Sequence, residues 1–261
     1  MINGFVSAVR TLTRIPIAGK DTKDFAKSLP WFPVVGFLLA SILSGIILTI
    51  DYFVNGDWNQ ATALLILLSG TLLTGALHLD GFADWADSLG AKGNKKKMLE
   101  IMKDSNSGAF GIVAIVLLLL AKWIVLIKLL EQNLIIISLF IAFISSRFAM
   151  VYFSVTLSYA RIEGGTGEHF IKNAKTGHLI YAFVISTLLL YLIGNIYAIV
   201  FFILSFIVIL FWAFWCNKNL NGITGDLLGA GSEFVEVFTM YFIALFYNDI
   251  FSLTNHISQI L

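Results

Sequence analysis

"GAFGIVAIVLLLLAKWIVLIKLL", residues 108–130, carries only two charges, Lys122 and Lys128, and has no glycine or proline after Gly111. A helix needs about 20 predominantly apolar residues to cross the hydrocarbon core of a bilayer, so this stretch reads as a transmembrane helix. Outward from it, six further runs of comparable length are bounded by polar or glycine-containing breaks, at 31–50, 60–79, 134–158, 178–194, 197–216 and 233–252.

The whole composition agrees. Of 261 residues 58% are hydrophobic and 13% charged, and the mean hydropathy is +0.88, outside the range of a soluble domain of this length. The sequence predicts an all-α, polytopic integral membrane protein of about seven transmembrane helices, forming one domain over 1–261 with no linker or low-complexity tract. The opening "MINGFVSAVRTLTRIPI" holds Arg10 and Arg14; it is too short and too charged to span, and is expected to lie on the surface as an amphipathic segment or to re-enter the membrane. No small-residue cleavage site follows it, so it is expected to be retained. A net charge of +1 without a basic stripe argues against nucleic acid as a partner. Cys216 is the single cysteine, which excludes an intrachain disulfide and a multi-cysteine metal site. The sequence leaves a homo-oligomer open.

Fourteen of the 17 Lys and Arg residues fall on one side of the seven-span layout: Arg10, Arg14, Lys20, Lys23 and Lys27; Lys92, Lys95, Lys96, Lys97 and Lys103; Arg161, Lys172 and Lys175; and Lys218. The opposite loops contain none. The positive-inside rule makes the basic side cytoplasmic, which sets the N-terminus inside a cell (inner) membrane and the C-terminus outside. The acidic segments 80–107 and 217–236 then share the cytoplasmic face, where any chemistry is expected.

"LHLDGFADWADSLGA", residues 77–91, contains three of those acids. At about 100° per helical residue, Asp80, Asp84 and Asp87 lie within about 60° of one another. Carboxylates so close repel unless a cation sits among them. A hard divalent ion such as Mg²⁺, which takes oxygen ligands and keeps substrate phosphates in its shell, would settle the conflict. A solvated helix end is the plain alternative. Phe82, Ala83, Trp85 and Ala86 keep the other faces apolar, which favours the metal. Further along, "MKDSNSGAFG" places Lys103 and Asp104 before a span, with Ser105, Asn106 and Ser107 as caps; a helix start beside a lysine is suited to phosphate. Lys95, Lys96 and Lys97 read as topogenic charge.

"GITGDLLGAGSEFVEVF" supplies Asp226, Glu233 and Glu236, the last at or below the membrane interface. Arg147 falls near the middle of a span, must face the bundle interior, and is expected to meet a ligand phosphate or a buried acid. Lys122 is also mid-span, and Lys128 can reach the outer surface. His78 precedes the aspartate face as a candidate substrate contact or proton shuttle, while His169, His178 and His256 have no metal spacing and receive no role.

Taken together, "LHLDGFADWADSLGA", "IMKDSNSGAFGIVAIVLLLLAKW", "SRF", "YARIEGG" and "GITGDLLGAGSEFVE" resemble the cobalamin synthase family, with "TRIPI" and "LPWFPVVGFLLA" as supporting matches. The resemblance covers essentially the whole chain. It implies a membrane enzyme of nucleotide-loop assembly in vitamin B12 biosynthesis, an adenosylcobinamide-GDP ribazoletransferase. Such an enzyme joins adenosylcobinamide-GDP to α-ribazole or its 5′-phosphate and releases GMP, with Mg²⁺ required. On this reading Asp80, Asp84 and Asp87 hold the metal; Lys103 and Arg147 or Arg161 contact phosphate; and Asp104, or an aspartate of the face, accepts the hydroxyl proton. His78, Ser105, Asp226, Glu233 and Glu236 contact substrate or, for the last three, a second metal. A CDP-alcohol phosphotransferase is the nearest alternative, but its D-G-x-x-A-R pattern is broken by Asp84 and by the lack of an arginine after it. A secondary transporter would place its ionisable groups near the midplane, whereas these acids lie at cytoplasmic helix ends.

Overall fold

A computed structural model describes residues 2–54, 58–91, 93–104, 106–161, 163–165 and 167–260. It is a bundle of helices: α1 (Ile2–Leu12), α2 (Phe32–Val54), α3 (Asn59–Thr74), α4 (Leu77–Ser88), α5 (Lys95–Ile101), α6 (Ala109–Glu131), α7 (Ile135–Thr156), α8 (Glu168–Ile171), α9 (Thr176–Leu220) and α10 (Gly225–Ile260). A 3-10 helix, Phe25–Trp31, joins α1 to α2, and Asp24 opens it by accepting from the Ala26 amide. No β-strand occurs among the described residues; the extended pairing there is one isolated bridge, Tyr159 to Ile223.

Among the described residues five helices are long and apolar enough to cross a membrane, and α3 with the segment 77–91 that contains α4, a pair bent by 90°, makes a sixth if the two together form one span. The chain is a multi-pass membrane protein. α9 is 45 residues long only by name, because Gly194 and Asn195 leave helical geometry, Asn195 at φ 52°. Phe183 and Phe202 would stand about 28 Å apart on a straight helix, yet their rings lie 5.9 Å from each other, and both touch Phe148, at 6.0 and 5.1 Å. The helix therefore doubles back, and its limbs, 176–193 and 196–220, are each of spanning length. Every run singled out in the sequence thus overlaps a helix or a limb.

Two boundaries differ from expectation. The second span was expected to continue to residue 79 but stops at Thr74, because Gly75 (φ 63°) and Ala76 (φ 57°) are both left-handed and turn the chain into α4. The last helix starts at Gly225, not near 233. Both changes have the same effect, since they lay α4 along the first turns of α10. At eleven residues α1 is too short to cross; it buries Val6, Ala8, Val9 and Leu12 and turns Arg10 outward, where it pairs with Asp21.

α7 is the central helix, buried along most of its length and packed against α2, α9 and α10. Around it, large side chains such as Leu64, Leu68, Leu72, Phe110, Leu117, Leu188, Leu192, Phe211 and Phe214 remain exposed. In water such a surface would aggregate; in a bilayer it is the lipid-facing one.

Candidate active site

α4 and α10 meet through glycine. A Cβ on Gly81 would lie 2.5 Å from the Asp226 carbonyl oxygen, and one on Gly229 would lie 3.1 Å from the Cα of His78. Backbones this close require residues without side chains. The contact brings Asp226 beside Asp80 and Asp84 although they are far apart in sequence. Asp84 is half-buried and feels Asp226, Asp80 and Asp87 as like charges, with Arg161 opposing them. Asp80 is exposed. Neither Asp80 nor Asp84 has a hydrogen-bond or ion-pair partner among the described residues.

Arg161 reaches this group through the loop that follows α7. The Ala160 amide donates to the Ile223 carbonyl (3.0 Å) and the Ile223 amide donates to that of Ser158 (2.9 Å). Asn221 and Gly222 make this pairing accessible: both have positive φ, and a Cβ at Gly222 would strike the Ser158 carbonyl at 2.2 Å. So fastened, Arg161 donates from Nη2 to Asp226 Oδ2 (2.6 Å) and to the Met102 carbonyl (3.0 Å). Thr224 also donates to Asp226, at 3.3 Å. Burial pushes the phenol of the neighbouring Tyr159 up, against the opposing effect of Arg161. Lys103, on the far side of the same loop, pairs with Glu163 and holds that exposed carboxyl below the usual range.

Asp87 does something else. Its Oδ2 accepts from the Gly108 amide (2.7 Å) and its Oδ1 from the Gly111 amide (2.8 Å), so its carboxylate closes the N-terminus of α6. Gly108 and Gly111 are required here, since a Cβ on either would come within 2.5 Å of that carboxylate. Two expectations change. The start of α6 is occupied by Asp87 and does not offer its amides to a phosphate, and Asp87 is not a free metal ligand although it shares a helix face with Asp80 and Asp84. Among the described residues no three His, Cys, Asp or Glu side chains are arranged to hold a metal ion. The donor chemistry nonetheless fits Mg²⁺, which is commonly held by one or two carboxylates with substrate phosphates completing its shell; Asp80 and Asp84 are two uncommitted carboxylates in an excess of negative charge.

Arg147, Glu233 and Glu236 stand apart from this face, inside the bundle. Lys122 Nζ lies 2.5 Å from Glu233 Oε2 and 2.6 Å from Glu236 Oε1. Arg147 donates to Glu236 Oε2 (3.2 Å) and to the hydroxyls of Ser146 and Ser232, both 2.9 Å. Of the two partners foreseen for Arg147, the structure supplies the buried acid. At 1% exposure Arg147 is part of a balanced internal cluster joining α6, α7 and α10, and not a phosphate contact; the same packing removes Glu233 and Glu236 from the substrate surface. A cavity of about 40 Å³ adjoins the cluster. His78 is buried as well: it is 2% exposed, neither ring nitrogen has a hydrogen-bond partner among the described residues, and its charged neighbours are Arg147 and Lys122. It is therefore turned away from the aspartates.

Asp104 is exposed and accepts from both the amide (3.0 Å) and the side chain (2.8 Å) of Asn106, which hold its carboxyl below the usual carboxylate range. So engaged, it is ill suited to take a proton. Ser105 lies outside the described residues. Sequence reasoning did not foresee an aromatic cluster behind α4, in which Trp85 packs on Trp212 (5.2 Å), Trp215 (5.9 Å) and Phe234 (5.1 Å). The signal available was the tryptophan inside the acid face.

Comparison with known proteins adds an independent line. The family model described as cobalamin-5-phosphate synthase matches residues 4–244. The adenosylcobinamide-GDP ribazoletransferase of Chlorobaculum parvum is 38% identical over 262 residues, covering 97% of this chain and 99% of that protein. Its counterpart from Chlorobaculum tepidum is 37% identical, covering 96% and 98%, and that from Clostridium tetani 34% identical, covering 94% and 98%. No solved structure matches the chain.

Proposed function

Since the chain belongs to the cobalamin-5-phosphate synthase family, we propose that it is a membrane-embedded transferase that joins adenosylcobinamide-GDP to α-ribazole, or α-ribazole 5′-phosphate, and releases GMP. The observation that carries this reading from family to site is the gathering of Asp80, Asp84 and Asp226 at the Gly81 contact, with Arg161 beside them. A diphosphate cannot approach so many carboxylates without a cation between.

Mg²⁺ is proposed as that cation, with Asp80 and Asp84 as its protein ligands; when bound it neutralises the diphosphate and the oxygen that leaves with GMP. The chain's own groups supply position and charge. Arg161, held by Asp226 and the Met102 carbonyl, directs its guanidinium along the face, and Lys103 adds a second cation for phosphate. The ribose 3′-hydroxyl oxygen of the acceptor attacks the phosphorus attached to cobinamide. The new P–O bond forms as the bond to the GMP phosphate oxygen breaks, and that oxygen keeps the electron pair. The hydroxyl proton passes to a carboxylate of the aspartate face, Asp104 being committed to Asn106. A transfer at phosphorus of this kind asks for in-line placement and charge neutralisation more than for covalent help.

These residues lie in or next to the segments that carry the basic loops, so the active face is proposed to be cytoplasmic, with the N-terminus on the same side of the cell membrane. The test is to incubate the purified, detergent-solubilised protein with adenosylcobinamide-GDP and α-ribazole, with Mg²⁺ or with EDTA, and to follow GMP and cobalamin by chromatography. Magnesium-dependent formation of both in equal amounts is expected. Folded protein that forms neither would overturn the assignment.

A further inference from the structure

Beside the aspartate face, α5 and the loop after α7 enclose an open cleft of about 480 Å³. Its cations are Lys95, Lys96, Lys103 and Arg161, and its acids are Glu100 and Glu163. Lys103 is already paired with Glu163, and Arg161 with Asp226. Lys95 and Lys96 have no ion-pair or hydrogen-bond partner among the described residues, and the buried Nε of Arg161 also lacks one. The cleft therefore keeps unspent positive charge and an open donor. Leu99 and Ala160 provide an apolar strip within it.

We propose that this cleft is the subsite for the nucleotide half of the donor, holding the guanosine monophosphate portion before transfer and as the leaving product. This rests on the function proposed above and assigns a place to one half of its substrate. Three features carry it. A small-molecule site typically occupies about 300–1,000 Å³, which admits a mononucleotide and is too small for a whole corrinoid conjugate. A phosphate monoester gains charge as it leaves, and the free cations of Lys95 and Lys96 answer that charge. Arg161 links the cleft to Asp226, so a phosphate held there sits next to the aspartate face. The α5 lysines, which in sequence read as topogenic charge, thereby acquire a ligand.

The experiment measures GMP binding to the full-length protein in detergent at low salt by calorimetry, with inorganic phosphate as a control probe. Wild type, Lys95→Ala/Lys96→Ala and Lys95→Arg/Lys96→Arg are compared, and donor and acceptor KM are measured for each. The alanine pair is expected to bind GMP about tenfold more weakly and to raise the KM for adenosylcobinamide-GDP by a similar factor, with the α-ribazole KM unchanged; the arginine pair restores both. The unchanged acceptor KM also shows that the alanine pair is folded. Unaltered GMP affinity, a KM change confined to the acceptor, or equal affinity for GMP and inorganic phosphate would each overturn the subsite. Lysine-dependent GMP binding by a protein that makes no cobalamin would retain the subsite and sink the transferase reading. Product formation at wild-type donor KM in the alanine pair would do the reverse.

Discussion

Replacing Asp87 and Asp84 by asparagine, one at a time, separates a helix cap from a metal ligand on the same face. Asp87 accepts two amide hydrogens of α6, at 2.7 and 2.8 Å. Asparagine keeps one acceptor oxygen and presents an NH₂ group to the other amide, leaving a part-buried N–H unpaired at a cost of about 1–3 kcal/mol. Loss of the negative charge at the helix N-terminus adds about 0.3–1 kcal/mol. Asp87→Asn is therefore expected to destabilise the protein by about 1–4 kcal/mol. Any protein that remains folded should turn over near the wild-type rate.

Asp84→Asn is the opposite case. It removes a half-buried acid from among other acids, so stability should hold or rise, while turnover falls about a hundredfold or more with the loss of charge at the phosphate site. Tryptophan fluorescence during detergent unfolding reads the first quantity, since Trp85 shares α4 with both residues, and GMP release reads the second. Wild-type stability with abolished turnover in Asp87→Asn would refute the capping assignment and return Asp87 to the metal site.

Lys122→Met strands two buried carboxylates with one guanidinium and should cost about 3–5 kcal/mol. Adding Glu233→Gln should recover much of that loss, and strict additivity of the two changes in an unfolding titration would count against the cluster. Gly81→Leu should force α4 from the Asp226 backbone and abolish GMP release, whereas Gly90→Ala, whose Cβ meets nothing within 4 Å, should be active; equal activity in the two would show that the close approach is dispensable. Asp104→Asn should leave turnover and its pH profile around neutrality unchanged. The Asn106 contacts hold the Asp104 carboxyl low, so it is already charged there and loses its turn only as acid brings the pH down through that lowered value; a shifted profile would show that Asp104 takes part in proton transfer.

The spans were legible because bilayer thickness imposes a length on apolar runs, and that signal survives without any tertiary information. The right-angle bend between α3 and α4 was not, since Ala76 adopts a left-handed conformation that its own side chain disfavours. Helical periodicity correctly placed Asp80, Asp84 and Asp87 on one face. It could not tell which would be free, because Asp87 is committed by amides of another helix. Asp226 joins the group through the Gly81 contact, a long-range event that no local pattern reports. Arg147 could be read as facing inward from the cost of exposing it to lipid. The choice between a ligand and an acid depended on where Glu236 falls along α10, and the earlier start of that helix decides it.

α10 brings Asp226 to the surface site and both carboxylates to Lys122 and Arg147 within the bundle. The two places are therefore mechanically coupled through one rigid rod. A shift of α10 along its axis would open the Gly81 contact and part Glu236 from Arg147 in the same movement, so loosening of the interior ion pairs would be felt at the carboxylate face.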